Sequence, residues 1–406
     1  MPARPREMER AQSRILLGEV EEKIRNMEWS RPESMDIEAS KAYFRVAAED
    51  IYAMENVPKV PISAVDGYAL RSADTIDSSG GRKEFRTVGV AAANSAFKGN
   101  VGKGECCEVY TGAPLPAGCD TIIMAEDSSF HDGLISITCP VQPELNIRKI
   151  GEDISAGTKI ASKGDILHPF KITAAISSGN MLIHVYRVLN GTVISTGDEL
   201  MPNSENFTAN SGQGLIVEYF NNPWIQLSYG KICSDDSDEI RNTVKDSLKS
   251  SEIVIITGGS SIGRRDKVPE AMSGIGETVF SGVNMRPGRT ITLYFADGKP
   301  VFSISGLPGP ALTSFETIFE IFLRSVYGFN ASRLTVTARA TETADVRPDS
   351  VNLKRVSLFE SGGEVHFKTL KRSGLQSLLE SDGVVEIGPG NDRIVRGKTY
   401  SVKLNR

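Results

Sequence analysis

Gly191-Thr192-Val193-Ile194-Ser195-Thr196-Gly197-Asp198-Glu199-Leu200 and Ile253-Val254-Ile255-Ile256-Thr257-Gly258-Gly259-Ser260-Ser261-Ile262-Gly263 decide the fold. Each is a short β-branched run that stops abruptly in glycine and small hydroxyl residues. In an open α/β sheet the loops after strand C-termini are where ligands bind. Amides bared by Gly258, Gly259 and Gly263, with hydroxyls on Thr257, Ser260 and Ser261, suit phosphate or another oxyanion. Asp198, Glu199 and Asp266 beside such a loop imply a cation between the acids and the anion, which points to Mg²⁺ and a phosphorylated substrate. Tight turns and helix-capping acids account for either segment alone, and it is the repetition that favours a ligand site.

Outward from these two runs, residues 181–327 alternate strands with helices, a βαβ pattern that implies a mostly parallel sheet. The last unit, Pro300-Val301-Phe302-Ser303-Ile304-Ser305-Gly306-Leu307-Pro308-Gly309-Pro310, leads into a helix over 311–323 with its loop at the same sheet edge. Upstream, residues 37–54 place Tyr43, Val46, Ala47 and Ile51 on one helical face, and Val57-Pro58 ends that predicted helix. Between 61 and 139, runs such as 85–90, 107–110 and 121–124 alternate with Gly, Pro and Asn turns. Residues 146–178 are polar and glycine-punctuated, with a helix-like stretch at 172–176, and strand alternation returns beyond 332. The expected organisation is a multidomain α/β and β chain. A discontinuous helical and linker domain spans 1–55 and 146–180 and carries an inserted β-rich domain at 56–145. A central α/β domain follows at 181–330, then a C-terminal β domain at 331–406.

A length of 406 residues fits this division, since one core organises about 100–200 residues. With 40% apolar and 24% charged residues the chain reads as an ordinary globular protein rather than a disordered one. A net charge of −5 argues against a general nucleic-acid binder, so any anionic ligand must be held by a local site. Cys106, Cys107, Cys119, Cys139 and Cys233 show no framework spacing, which suits reduced thiols in the cytoplasm. No metal-type pattern joins them to His131, His168, His184 and His366. Residues 1–22 lack the apolar core of a secretory signal, and no apolar run approaches the ~20 residues that span a bilayer.

The ordered motifs resemble the molybdopterin molybdenumtransferase family, that of the MoeA proteins and the gephyrin E domain, from about residue 35 to the last residue. Ser63-Ala64-Val65-Asp66-Gly67-Tyr68-Ala69 resembles the family's Ser-Ala-Met-Asp-Gly-Tyr-Ala block, and Thr111-Gly112-Ala113-Pro114-Leu115-Pro116 with Glu126-Asp127 resembles the next. Residues 148–153 supply an Arg-x-x-Gly-Glu-Asp element, and Ser195 to Leu200 matches Ser-Thr-Gly-Asp-Glu-Leu. The resemblance implies that the central sheet is a molybdopterin-binding domain. It further implies that adenylated molybdopterin loses AMP while molybdate is inserted, with Mg²⁺ as cofactor, in a homodimer whose site is shared between subunits. Carried over residue by residue, Asp66, Thr111, Asp153, Glu199 and Asp266 are the catalytic candidates. Glu199 and Asp266, with Asp198, are the metal candidates. Substrate binding falls to Thr196, Gly197, Asp198, Thr257, Gly258, Gly259, Ser260, Ser261, Gly263, Arg286, Arg289, Pro308 and Gly309. Neither a membrane nor a nucleic acid is implied as partner.

Departures from the family pattern bear on the chemistry. In Val283-Asn284-Met285-Arg286-Pro287-Gly288-Arg289 two arginines stand where the family places lysines, which keeps charge and offers bidentate oxyanion contacts. Arg264 replaces a loop acid, and Pro310 replaces an asparagine. Ser373 opens a segment, Ser373-Gly374-Leu375-Gln376-Ser377, that resembles the family's serine-glycine stretch or a plain turn. Each candidate keeps a structural alternative. Asp66-Gly67 also reads as a turn and Thr111 as a strand-end hydroxyl. Asp153 also reads as the ion-pair partner of Arg148, Asp266 as a group held by Arg264 and Arg265, and the basic loop as a solvated turn. Molybdate and tungstate share size and charge, so both stay open as substrate. An adenylyltransferase built on the sheet domain, or a non-catalytic scaffold, are the other readings.

Overall fold

The computed structural model describes residues 14–76, 83–258, 266–330, 332–371 and 374–405. Its centre is a six-stranded sheet of β1 (Leu189–Thr196), β2 (Ile225–Cys233), β3 (Ile253–Thr257), β4 (Glu277–Ser281), β5 (Thr292–Ala296) and β6 (Lys299–Ile304). The spatial order is β2-β1-β3-β6-β5-β4. The pairings β2–β1, β1–β3 and β3–β6 are parallel. The sheet is mostly parallel, as expected, with an antiparallel edge where β5 pairs with both β6 and β4. Asp297 and Gly298, both at positive φ, make the tight turn between β5 and β6, a geometry in which glycine carries no Cβ penalty. The all-buried run of β3 reads as a strand covered on both faces.

Helices α1 (Ser211–Phe220), α2 (Ser237–Ser250) and α3 (Pro308–Phe322) pack around this sheet. On one side Phe220, Phe302, Phe315, Phe319 and Phe322 meet in edge-to-face and stacked pairs. Such aromatic burial dominates core energetics. On the other side Ile240, Val244 and Leu248 of α2 cover Val254 and Ile256. Proline at the start of α3 uses a position whose amide needs no intrahelical partner.

Ahead of the sheet the chain closes on itself in nested antiparallel pairs. Ser34–Glu38 pairs with Leu182–Tyr186, Ile51–Tyr52 with Lys159–Ala161, and Ile62–Ser63 with Ile147–Arg148. Inside the innermost pair lies a six-stranded sheet whose strands run from Gly67–Leu70 to Leu134–Ile137, in which the expected runs at 85–90, 107–110 and 121–124 are strands or close to their ends.

The helix expected over 37–54 is not present. Ala39–Lys41 makes one 3₁₀ turn and Phe44 adopts φ 59. The backbone bonds outward instead: Phe44 N–H donates to the Leu167 carbonyl, Ala47 to Asp165 and Ala48 to His184. Ala42, Ala47 and Ile51 are buried against the segment at 161–185 and Val46 against the central core, not because they share a helical face. The expected helical character of 1–55 and 146–180 reduces, among the described residues, to the helices Val20–Arg25 and Pro169–Ser177 and short 3₁₀ turns.

At the C-terminal end, Val351–Ser361, Glu364–Thr369, Thr335–Ala340, Thr399–Leu404 and Gly383–Ile387 pair in that order, and Gly383–Ile387 pairs back onto Val351–Ser361. The sheet is thus closed into a barrel, which removes its free edges. Met285–Arg286 adds to it in parallel, with Met285 opposite Val351 and Arg286 opposite Asn352. The basic loop is therefore stitched into the barrel as well as the central sheet.

Candidate functional site

The ends of β1, β3 and β6 converge on the N-termini of α1 and α3. A Cβ built on Gly258 (φ +101) would collide with the Thr196 carbonyl oxygen and lie 2.9 Å from its Oγ1. Gly306 approaches so closely that its Cβ would stand 3.4 Å from the Gly258 Cα, and a Cβ on Gly212 would stand 3.1 Å from the Gly306 carbonyl oxygen. Three strand ends and a helix start therefore meet through bare backbone, which is how a chain approaches a ligand closely. Thr196, 3% exposed, has its Oγ1 buried with no hydrogen-bond partner among the described residues. An unpaired buried hydroxyl costs free energy unless something occupies it.

A polar network beneath this point holds the strand ends in register. The Ser195 hydroxyl lies 2.7 Å from Thr257 Oγ1 and 3.0 Å from the Asn210 amide nitrogen. Asn210 caps α1, its side chain accepting from the Gln213 amide, and Gln213 Nε2 donates to the Val193 and Gly230 carbonyls. The Thr257 hydroxyl thus bonds within the sheet, and its neighbour Gly258 is the residue bared at the strand end. Asn210 and Gln213 were missed from sequence, although Asn210-Ser211 ahead of an apolar run is a helix-start signature.

Gly197 and Glu199 form one unit, since a Cβ on Gly197 would lie 2.7 and 2.8 Å from the two Glu199 carboxylate oxygens. Asp198 turns the other way, and its Oδ1 accepts from the Asp235 amide at 3.0 Å. Asp266 Oδ1 accepts from the Val268 amide at 3.0 Å, at the start of the helix Val268–Met272. Its charge also helps raise the Tyr294 hydroxyl above its ordinary pKa, after burial. Among the described residues no three His, Cys, Asp or Glu side chains gather to hold a metal ion. Of the expected metal set, Asp198 and Asp266 each give one carboxylate oxygen to a backbone amide, and Glu199 folds back over Gly197. A single folded-back carboxylate at the mouth of an anion site still suits Mg²⁺, which takes one or two carboxylates and fills its shell with water and phosphate oxygens. Gly259, Ser260, Ser261 and Gly263 lie outside the described residues, as do Arg264, Arg265 and Ser373.

The basic loop abuts the same edge. A Cβ on Gly288 (φ +83) would collide with Ser314 of α3 and lie 2.9 Å from the Pro310 carbonyl oxygen, so the loop rests on the first turn of that helix. Pro308 and Gly309 open the turn, and Gly309 lies against Gly374 at 3.5 Å from a built Cβ to Cα. Arg286 lines a cavity of about 320 Å³ together with Arg347, Lys354, Asn352 and Asp345 of the barrel. Its Nε is buried without a hydrogen-bond partner among the described residues. Arg347 and Lys354 were not singled out from sequence, because only the barrel's closure brings them to a loop sixty residues away.

A second group is assembled in the nested region. Thr111 donates twice to one oxygen of Asp66, from its amide at 2.7 Å and its hydroxyl at 2.8 Å. These bonds hold the Asp66 carboxyl below its ordinary pKa, the backbone bond first. The Asp153 carboxylate pairs with Arg148, whose strand pairs with Ile62–Ser63 just ahead of Asp66. The ion-pair alternative for Asp153 is therefore a feature of this chain, and both groups sit on the same pair of crossings.

The fold is that of a multidomain protein with a central α/β sheet whose strand ends meet through bare glycine backbone. Residues 192–325 match the family described as a probable molybdopterin binding domain, and residues 7–179 match the MoeA N-terminal region, domains I and II. The chain belongs to the molybdopterin molybdenumtransferase, or MoeA, family. It is 31% identical over 320 residues to a molybdopterin molybdenumtransferase of Staphylococcus aureus, covering 77% of this chain and 76% of that protein. It is 26% identical over 384 residues to a putative molybdopterin biosynthesis protein of Methanocaldococcus jannaschii, covering 91% and 92%. The crystal structure of a molybdopterin biosynthesis MoeA protein from Pyrococcus horikoshii superposes with a TM-score of 0.78 at 26% identity, covering 97% of this chain and 99% of that one.

Proposed function

We propose that this chain inserts molybdate into adenylated molybdopterin with release of AMP, as a step of molybdenum cofactor biosynthesis. The observation that carries the reading is the buried Thr196 hydroxyl, without a hydrogen-bond partner among the described residues, where Gly258 and Gly306 bare the ends of three strands. That edge supplies amide and hydroxyl donors to a phosphate of the substrate. Glu199 stands at its mouth, and Arg286 and Arg289 supply guanidinium donors to a tetrahedral dianion, molybdate or tungstate. Mg²⁺, held by Glu199 and the substrate's own oxygens with Asp266 nearby in the sequence of loops, would neutralise phosphate charge as AMP leaves.

The resemblance supports a homodimer in which Asp66, Thr111 and Asp153 of one subunit complete the sheet edge of the other. Free thiols at all five cysteines accord with a cytoplasmic setting. No helix among the described residues is long and apolar enough to cross a membrane.

The test is incubation of the full chain with adenylated molybdopterin, Mg²⁺ and either molybdate or tungstate, following AMP. Oxyanion-dependent AMP release is the expected result. A chain that binds the nucleotide but releases no AMP with either oxyanion would overturn the reading in favour of a scaffold. Mixing Asp66→Ala with Glu199→Gln chains checks the shared site, since heterodimers should recover part of the activity.

A further inference from the structure

A third guanidinium stands beside Arg286 and Arg289, and it comes from the far end of the chain. Ile15 forms a parallel bridge with Val283. Its amide donates to the Gly282 carbonyl at 3.3 Å, and its carbonyl accepts from the Asn284 amide at 2.8 Å. This two-bond clasp lays the segment bearing Arg14 along the backbone that leads into the basic loop. Gly282, at φ +79, lies between the two: a Cβ built there would stand 3.1 Å from Arg14 Cγ and 3.2 Å from the Arg289 carbonyl oxygen.

The charges of Arg289 and Arg286 reach Arg14. Burial, then the charges of Arg289 and Arg286, lower the proton affinity of Arg14. Among the described residues no carboxylate stands within ion-pair distance of any of the three; Asp345 lines the cavity beside Arg286 without pairing to it. Guanidinium groups do not shed their protons to relieve such crowding. Partly desolvated like charges are instead relieved by a counter-anion. Elsewhere in the chain the opposite choice is made: Arg148, Arg241, Arg333 and Arg339 each meet a carboxylate.

We propose that Arg14, laid beside the basic loop by the Ile15 clasp, is a third cationic ligand of the tetrahedral dianion held by Arg286 and Arg289. This rests on the oxyanion role given to the basic loop. Its consequence is that anion binding and docking of the segment are linked: molybdate that meets Arg14 also tightens the Ile15 clasp.

The experiment is calorimetric titration of the full chain with molybdate at fixed ionic strength, for the unmodified protein and for Arg14→Ala, Arg14→Lys and Arg286→Ala. Amide exchange at Asn284 is followed alongside. Loss of one charged donor should weaken molybdate binding about tenfold in Arg14→Ala. Arg14→Lys should recover part of that, and molybdate should slow Asn284 exchange in the unmodified chain but not in Arg14→Ala. If Arg14→Ala binds molybdate as tightly as the unmodified chain while Arg286→Ala does not, the role of Arg14 is overturned and the loop's role stands. If neither substitution changes binding, both fall.

Discussion

Thr111 grips Asp66 through a single oxygen, with amide and hydroxyl both donating to Oδ1, and leaves Oδ2 with no hydrogen bond among the described residues. One oxygen is immobilised and the other is presented. Because the bonds favour the ionised form, the folded pKa lies below the ordinary carboxylate range, and the carboxylate persists as pH falls until that lower value is crossed. Thr111→Val keeps the amide bond and removes the hydroxyl, so the Asp66 pKa should rise. If ionised Asp66 takes part in turnover, the acid limb of the kcat/KM profile should move to higher pH. Asp66→Asn should lower kcat on the order of a hundredfold. An unchanged acid limb in Thr111→Val would separate Asp66 from the chemistry.

Of Asp198, Glu199 and Asp266, it is Glu199 whose carboxylate folds over the strand-end glycine rather than onto a neighbouring amide. Glu199→Gln preserves shape and removes charge. Mg²⁺-dependent AMP release should fall by about a hundredfold or more with the denaturation midpoint unchanged, and chelation of Mg²⁺ should bring the unmodified chain to the same low rate. A variant that still responds fully to Mg²⁺ would place the ion elsewhere.

Parts of this architecture were legible because their causes are local. The runs at 121–124 and 253–257 are β-branched and bounded by turn residues, and they are strands as expected. The helix expected over 311–323 is there, beginning three residues earlier at Pro308. What could not be read has non-local causes. Val46 and Ala47 are buried by chain more than a hundred residues away, so their spacing imitates a helical face without making one. Met285–Arg286 joins a barrel whose strands lie beyond residue 334, and nothing in its own residues announces that. At the strand ends, which hydroxyl is spare depends on the partner of each: Thr257 meets Ser195, and Thr196 Oγ1 meets none among the described residues.

Gly258→Ala tests the close approach of the strand ends. The position combines φ +101 with a Cβ that would strike the Thr196 carbonyl oxygen. Backbone strain alone should cost about 1–3 kcal/mol, and displacement of Thr196 should add a loss of nucleotide affinity. Urea unfolding with a parallel nucleotide titration reads both. Full affinity in a destabilised variant would mean that the crossing serves folding alone.

Arg333 sets how the barrel meets the sheet. Its side chain is 4% exposed and its Nη1 lies 2.6 Å from Glu316 Oε2, itself 1% exposed, with Glu320 at 3.5 Å and Tyr219 donating to Glu316 at 3.0 Å. Thr313, one turn earlier on α3, accepts from Arg355 of the barrel. Removing one partner of such a pair leaves a buried charge uncompensated, so Arg333→Met should destabilise by about 3–5 kcal/mol in chemical denaturation. Arg333→Met combined with Glu316→Leu should recover much of that loss, because a buried pair contributes little net stability over an apolar replacement. Since the same helix carries Pro310 under the basic loop, the single substitution should also weaken molybdate binding, and the double should restore it only if packing rather than charge sets the loop's position.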